Sequence, residues 1–145
     1  MTTVLVGTDG SPNAAAALQW ALDYARREHA TLRVIHAWHY PYASSEAGAM
    51  MAPPQQVFEE GARATLDQAL IGLDTRGVVI EKRVRAGGGA AVLLDEAKSA
   101  DVLVVGARGH GGFAGLVLGS VANHCARHAR IPTVVVPHPT SAAPK

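Results

Sequence analysis

Two stretches of the chain, Val102-Leu103-Val104-Val105 and Val134-Val135-Val136, are unbroken apolar runs dominated by β-branched residues. A strand with one wet face alternates apolar and polar residues. An unbroken run belongs to a strand buried on both faces, which means a parallel sheet covered by helices. Thr3 to Thr8 is a short β-branched run that also suits a buried strand, and residues 31–38 (TLRVIHAW) read as another strand. Between them Ser11 offers an N-cap and Pro12 suits the first helical position. Ala14, Ala17, Leu18, Ala21, Leu22 and Ala25 then recur at helical spacing, and their small size predicts close packing on the sheet.

The remainder continues the alternation. Phe58, Ala62, Leu66, Ala69, Leu70 and Leu73 mark a second amphipathic helix, weakened by Gly61 and Gly72. Val78, Val79, Ile80 and Val84 predict a third strand with the charges of 81–83 near its end. Gly87-Gly88-Gly89 opens a short helix to about Ser99, and Asp101 to Ala107 is the fourth strand. A helix from Ser120 to Ala129 leads past Pro132 to the fifth strand, Thr133 to Val136. Residues 39–56, rich in Ala, Ser, Gly and Pro, read as a loop long enough to act as a lid or contact, or simply as a connection. Five strands and four helices in alternation predict an α/β fold: an open five-stranded parallel sheet with helices on both faces. Ligands of such sheets bind beyond the carboxyl ends of strands where the strand order reverses. That rule points to Asp9, Ala37 and the loop after Val105.

Composition narrows the function. With 145 residues, 48% hydrophobic and 17% charged, the chain suits one ordered domain. A net charge of +1 argues against a nucleic-acid partner. It leaves room for an anion held by backbone N–H groups. One cysteine excludes an internal disulfide framework and points to a reducing compartment. The sequence shows neither a stretch of membrane-spanning length nor a basic leader, so no membrane partner and a cytoplasmic location are expected.

The stretch from Gly106 to Ser120 (GARGHGGFAGLVLGS) follows a strand and precedes a helix, where a phosphate site belongs. Glycines let backbone N–H groups approach an anion closely, and the helix dipole adds attraction. Ser120 can cap the helix or offer its hydroxyl to a phosphate oxygen. Arg108 is the one formal positive charge between the fourth strand and the last helix. A Walker lysine motif is absent. Gly109-His110-Gly111 followed by Gly115 lacks the immediate helix of a dinucleotide fingerprint.

Gly106, Gly109, Gly119 and Ser120 together give the spacing G-x2-G-x9-G-S. This resembles the ATP-binding signature of the universal stress protein family. Val4-Leu5-Val6-Gly7-Thr8-Asp9-Gly10-Ser11, His36-Ala37, Gly119-Ser120-Val121, Ala129, Pro132 and Val134-Val135-Val136 resemble that family's opening strand and turn, second strand, closing helix and closing strand. The tail over 138–145 is expected to be disordered as a chain terminus, and the resemblance implies a Rossmann-like sheet of order 3-2-1-4-5 in a single domain over 1–137 and a cleft holding ATP with Mg2+. Gly7, Asp9 and Ala37 would line the adenosine side. Gly106, Ala107, Arg108, Gly109, Gly119, Ser120 and Val121 would surround the phosphates, with His110, Gly111 and Gly112 in the same loop. It also implies a homodimer through Thr133–Val136, an apolar edge without charge. Many members carry a second Ser or Thr where this chain has Ala122, which puts its preference among ATP, ADP and AMP in question.

Simpler readings stand beside these. Asp9 is a candidate for ribose or metal-bound water, or a turn residue. Arg108 and His110 meet phosphate or solvent, and Gly111, Gly112 and Gly115 serve the site or only loop flexibility. His124, Cys125 and His128 suggest a metal cluster, but four ligands are wanted and no other cysteine exists. Cys125 is expected as a small buried hydrophobe, His36 as structural, and Trp20 and Trp38 as packing residues. The expected function is an ATP-binding regulatory protein in stress responses, read by an unidentified protein partner or by its own dimer. No catalytic residue and no metal ligand are assigned. A slow ATP hydrolase or nucleotidyl-transfer enzyme, and a nucleotide-free dimeric module, are the alternatives.

Overall fold

The computed structural model describes residues 2–39, 53–108 and 118–137. Its elements are β1 (Thr3–Gly7), α1 (Pro12–Glu28), β2 (Thr31–Trp38), α2 (Gln55–Leu70), β3 (Ile80–Ala86), α3 (Gly89–Glu96), β4 (Val102–Gly106), α4 (Ser120–His128) and β5 (Thr133–Val136), with a 3-10 turn at Ala97–Ser99. The five strands form one sheet of order β3-β2-β1-β4-β5, and every pairing is parallel. The α/β fold and the order 3-2-1-4-5 are therefore as the sequence and its resemblance imply.

Strand residues alternate between two cores. Val4, Val6, Leu32, Val34 and Val104 pack with Ala17, Leu18, Ala21, Leu22 and Ala25 of α1 and Leu66 of α2. Leu5, Ile35, Leu103 and Val105 pack with Val92 and Leu93 of α3 and Ala122 and Cys125 of α4. Two helices thus cover each face. Fully buried Leu5, Leu18, Leu22, Leu32 and Leu103 each contribute about 1.5–3 kcal/mol of apolar burial.

The first helix begins as its sequence predicts. Ser11 is the N-cap, its Oγ accepts from the Ala14 N–H at 3.2 Å, and Pro12 follows. His29 ends the helix in the left-handed region at φ 55°, its N–H reaching back to the carbonyls of Ala25 and Arg26. Arg26 and Arg27 in the last turn complement the dipole.

Two expectations need correction. β3 starts at Ile80, so Val78 and Val79 precede it and Glu81, Lys82 and Arg83 occupy its middle. The Val79 carbonyl already accepts from the Leu32 N–H, yet its side chain is 60% exposed. The reason is that β3 ends the sheet and needs little apolar surface. At α4, Gly119 takes the N-cap position and Ser120 is the first helical residue, so Ser120 does not cap the helix. The loop expected at 39–56 and the tail from His138 fall almost wholly outside the described residues. No helix among the described residues is long and apolar enough to cross a membrane.

Candidate functional site

The chain leaves β1 toward β2 on one side and later enters β4 on the other, so the strand order reverses at β1. Beyond the carboxyl ends of β1 and β4 lies a cleft of about 590 Å³. That is within the ordinary span of small-molecule sites, roughly 300–1,000 Å³. Three distant segments build it: Gly7, Thr8 and Asp9 at the end of β1, Ile35 and Ala37 of β2, and Gly106 and Arg108 at the end of β4 with Leu118 to Asn123 around the start of α4. Gly89 and Leu93 of α3, Ala14 of α1 and Val105 complete the lining.

Each wall follows from local sequence. At the β1–α1 turn the Asp9 carboxylate accepts from the Ser11 N–H at 2.9 Å, and the Thr8 hydroxyl accepts from the Gly10 N–H at 3.2 Å. Gly10 sits at φ +82°, a conformation that favours glycine. Asp9 is thus the turn residue of the simpler reading and a lining residue of the cleft as well. Behind the turn, His36 Nδ1 lies 2.8 Å from the Thr8 carbonyl, which fixes the strand end and gives His36 its structural role.

The glycines make room. A methyl group on Gly7 would stand 2.8 Å from Leu93 Cδ1, so Leu93 occupies the space a side chain there would need. A methyl group on Gly106 would stand 2.9 Å from the backbone oxygen of Asn13. That is backbone against backbone, with no flexible side chain to yield. At Gly106 the strand approaches α1 at a distance only glycine permits, whereas at Gly7 the Leu93 side chain would have to move.

The N-terminus of α4 faces the cleft differently from that of α1. No side chain caps it, and Gly119 leads in with extended backbone. The first-turn N–H groups of a helix have no intrahelical partners. Ser120, Val121 and Ala122 all line the cleft, so these donors and the positive end of the helix dipole meet it. The Gly119 N–H instead donates to the Ala107 carbonyl at 2.6 Å, while the Ala107 N–H donates to the Val136 carbonyl at 2.8 Å. Ala107 therefore closes the loop behind the cleft and does not line it.

Of the residues nominated from sequence, Gly7, Asp9, Ala37, Gly106, Arg108, Gly119, Ser120 and Val121 come together in the one cleft. Gly109, His110, Gly111 and Gly112 lie outside the described residues. Sequence reasoning missed Gly89, Leu93, Ile35 and Asn123. Gly89 carried a signal, the third glycine before a helix, and Leu93 lies one turn further on. The nucleophile and metal candidates stay apart from the site. Cys125 is wholly buried, and burial pushes its thiol up to about 11. The His124 and His128 rings stand 4.7 Å apart, but no group of three or more ligating side chains forms among the described residues. Trp20 stacks on Tyr24 at 5.2 Å against the α1 core, a packing role.

Comparison with known proteins accords with this geometry. A universal stress protein of Mycolicibacterium smegmatis is 38% identical over 137 residues, covering 92% of this chain and 45% of the relative. Universal stress proteins of Mycobacterium tuberculosis are 35% identical over 134 residues, covering 91% of this chain and 44% of each relative. The chain thus spans about half the length of the curated relatives it matches. Among solved structures, a universal stress protein in complex with cAMP is 29% identical with a TM-score of 0.60, covering 93% of this chain and 95% of that one. A further structure, the hypothetical protein MJ0577, shares the fold at 18% identity and a TM-score of 0.79, with coverage of 97% and 98%. The family model for universal stress proteins matches residues 1–137, and the chain belongs to the universal stress protein family.

Proposed function

We propose that the cleft binds an adenine nucleotide, ATP above all, and that the protein is a regulator whose nucleotide state is read by a partner or by its own dimer. One observation carries the reading: strand ends from β1, β2 and β4 and the uncapped start of α4 converge on a single cleft. The apolar side chains of Ile35, Leu93 and Val105 suit a base, Asp9 suits ribose hydroxyls, and the α4 N-terminus with Arg108 suits phosphate oxygens. The solved relative with cAMP supports an adenine nucleotide as the class of ligand.

A triphosphate supplies anionic oxygens that Mg2+ can bridge, and Asp9 is the carboxylate among the described lining residues that suits the metal or its water. Gly119, Ser120 and Val121 would hold the phosphates, and Ala37 and Gly7 the adenosine side. The reading assigns binding and no turnover. Release of a partner or a change at the dimer seam would then be the output, with Thr133–Val136 as that seam.

Purified protein should release adenine nucleotide on denaturation, and calorimetric titration with ATP, ADP, AMP and cAMP should rank them. No binding of any of the four at millimolar concentration sinks the reading. Gly106→Val should weaken binding by at least about tenfold. Its branched side chain must displace the Asn13 backbone, next to Ala14 of the cleft wall. An unchanged affinity in a folded Gly106→Val variant would put the site elsewhere.

A further inference from the structure

The helix that walls the cleft is short, and its anchoring is unusual. α3 has eight residues, too few to hold itself together by local bonds, so tertiary contacts must place it. Gly89, Leu93 and Glu96 fall at i, i+4 and i+7, one face of the helix. Gly89 and Leu93 line the cleft. At the other end of the same face Glu96 is 6% exposed, and three guanidinium groups converge on it.

The geometry of that cluster is specific. Arg83 Nη1 donates to Glu96 Oε1 at 2.9 Å, Arg33 Nη1 approaches the same oxygen at 3.4 Å, and Arg85 Nη1 donates to Oε2 at 3.1 Å. Arg33 is itself buried, and its other bonds go to Glu81 at 2.9 Å and the Ser99 hydroxyl at 2.9 Å. These arginines belong to β2 and β3. In the sheet register Arg83 sits beside Ile35 and Arg85 beside Ala37, both cleft residues. β2, which gives Ile35 and Ala37 to the cleft, and its neighbour β3 therefore also grip the helix that brings Gly89 and Leu93 to it.

We propose that Glu96 is a positioning residue for the cleft: its carboxylate, held by three guanidinium groups, sets where the Gly89–Leu93 end of α3 sits against β1 and β2. The proposal rests on the reading of the cleft as a nucleotide site. A buried carboxylate held from two strands allows one placement, whereas apolar packing alone tolerates sliding. Removing the charge leaves α3 attached by Val92 and Leu93, and by Ala97 of the turn that follows, but free to shift.

Glu96→Gln keeps the shape and removes the charge. With both proteins fully folded, ATP affinity should fall at least about fivefold. The backbone amide resonances of Gly89, Val92 and Leu93 should move, while those of Ala17 to Ala25 in α1 stay. A general loss of stability would not produce that pattern. Arg85→Gln, at a half-exposed position, should give the same pattern in smaller measure. It serves as the test if Glu96→Gln does not fold. Lys98→Gln, on an exposed side chain paired with Asp95, should leave both readouts unchanged. A wild type that binds, with Glu96→Gln binding as tightly and shifts confined to residues 95–99, overturns the proposal alone. A wild type that binds no adenine nucleotide overturns the functional reading and the proposal with it.

Discussion

β3 and β5 each end the sheet, and each turns one row of backbone groups away from its neighbour. Their side chains differ sharply. β3 carries Glu81, Lys82, Arg83 and Arg85 within seven residues. Lys82 pairs with Asp67 of α2 on one face, and Arg83 and Arg85 pair with Glu96 of α3 on the other. β5 is Thr133-Val134-Val135-Val136, without a charge, and its first three residues are half-buried. Charges on an edge deter a second strand, and a bare apolar edge invites one. The comparison teaches that the same sheet is closed on one side and left open on the other. This is why β5, not β3, is proposed as the dimer seam.

The strongest way to break the comparison is a charge on the open edge. Val135→Lys should weaken self-association at least about a hundredfold, because two like charges would meet across a two-fold contact. Sedimentation should then show monomers at concentrations where the proposed wild-type dimer forms. A dimer of unchanged strength in the variant would remove β5 as the seam.

The closed edge can be opened in the same manner. Glu81→Thr with Arg83→Val strips two charges from β3 and restores β-branched residues. Dimers paired through β5 would then have a second sticky edge at each end, so chains of dimers should form. Light scattering should report species larger than a dimer, appearing at roughly tenfold lower concentration than for the wild type. Unchanged behaviour would mean that Glu81 and Arg83 are not the charges that guard β3.

The two edges also mark how far the sequence could be read. β5, β2 and the start of α1 lie where their residues predict, because an unbroken apolar run and a Ser11-Pro12 start are local signals. β3 could not be placed so well. Its arginines make sense only beside Glu96, which lies 13 residues beyond Arg83 and on another element. The cleft divides the same way. Asp9, Ala37 and Gly106 were legible because strand ends and glycines are marked in the chain, and Gly7 through the family resemblance. Leu93 was not, since its place depends on the missing side chain of Gly7 across a tertiary contact. Gly119 replaced Ser120 as the N-cap because extended backbone one residue earlier already starts the helix.

The cover over the sheet repeats the contrast and gives a smaller test. Beside β3 one face is ionic at Glu96, and toward β5 the same face is apolar, with Cys125 wholly buried against Ala122 and Val135 nearby. Cys125→Ser should cost about 1–3 kcal/mol in urea denaturation, because it puts a hydroxyl where the surroundings are apolar. Cys125→Ala should cost about 1 kcal/mol, the loss of one buried sulfur's packing. Equal costs for the two would mean that a partner for the hydroxyl exists there and that the β5 side is less apolar than the structure shows.

The smallest effect expected is at the outer pair of β3. Lys82 Nζ lies 2.8 Å from Asp67 Oδ1, but the two side chains are 50% and 58% exposed. An exposed pair of this kind is worth about 0.2–1 kcal/mol, and salt screens it further. Lys82→Ala should therefore change unfolding stability by at most about 0.5 kcal/mol, and raising the salt concentration should erase the difference. The double-mutant cycle with Asp67→Ala isolates the pair from the packing of the lysine stem against α2. A coupling above about 1.5 kcal/mol would show that this ion pair holds β3 to α2 as firmly as the buried cluster holds it to α3. β3 would then be anchored by ion pairs on both faces, and its difference from the uncharged β5 would sharpen.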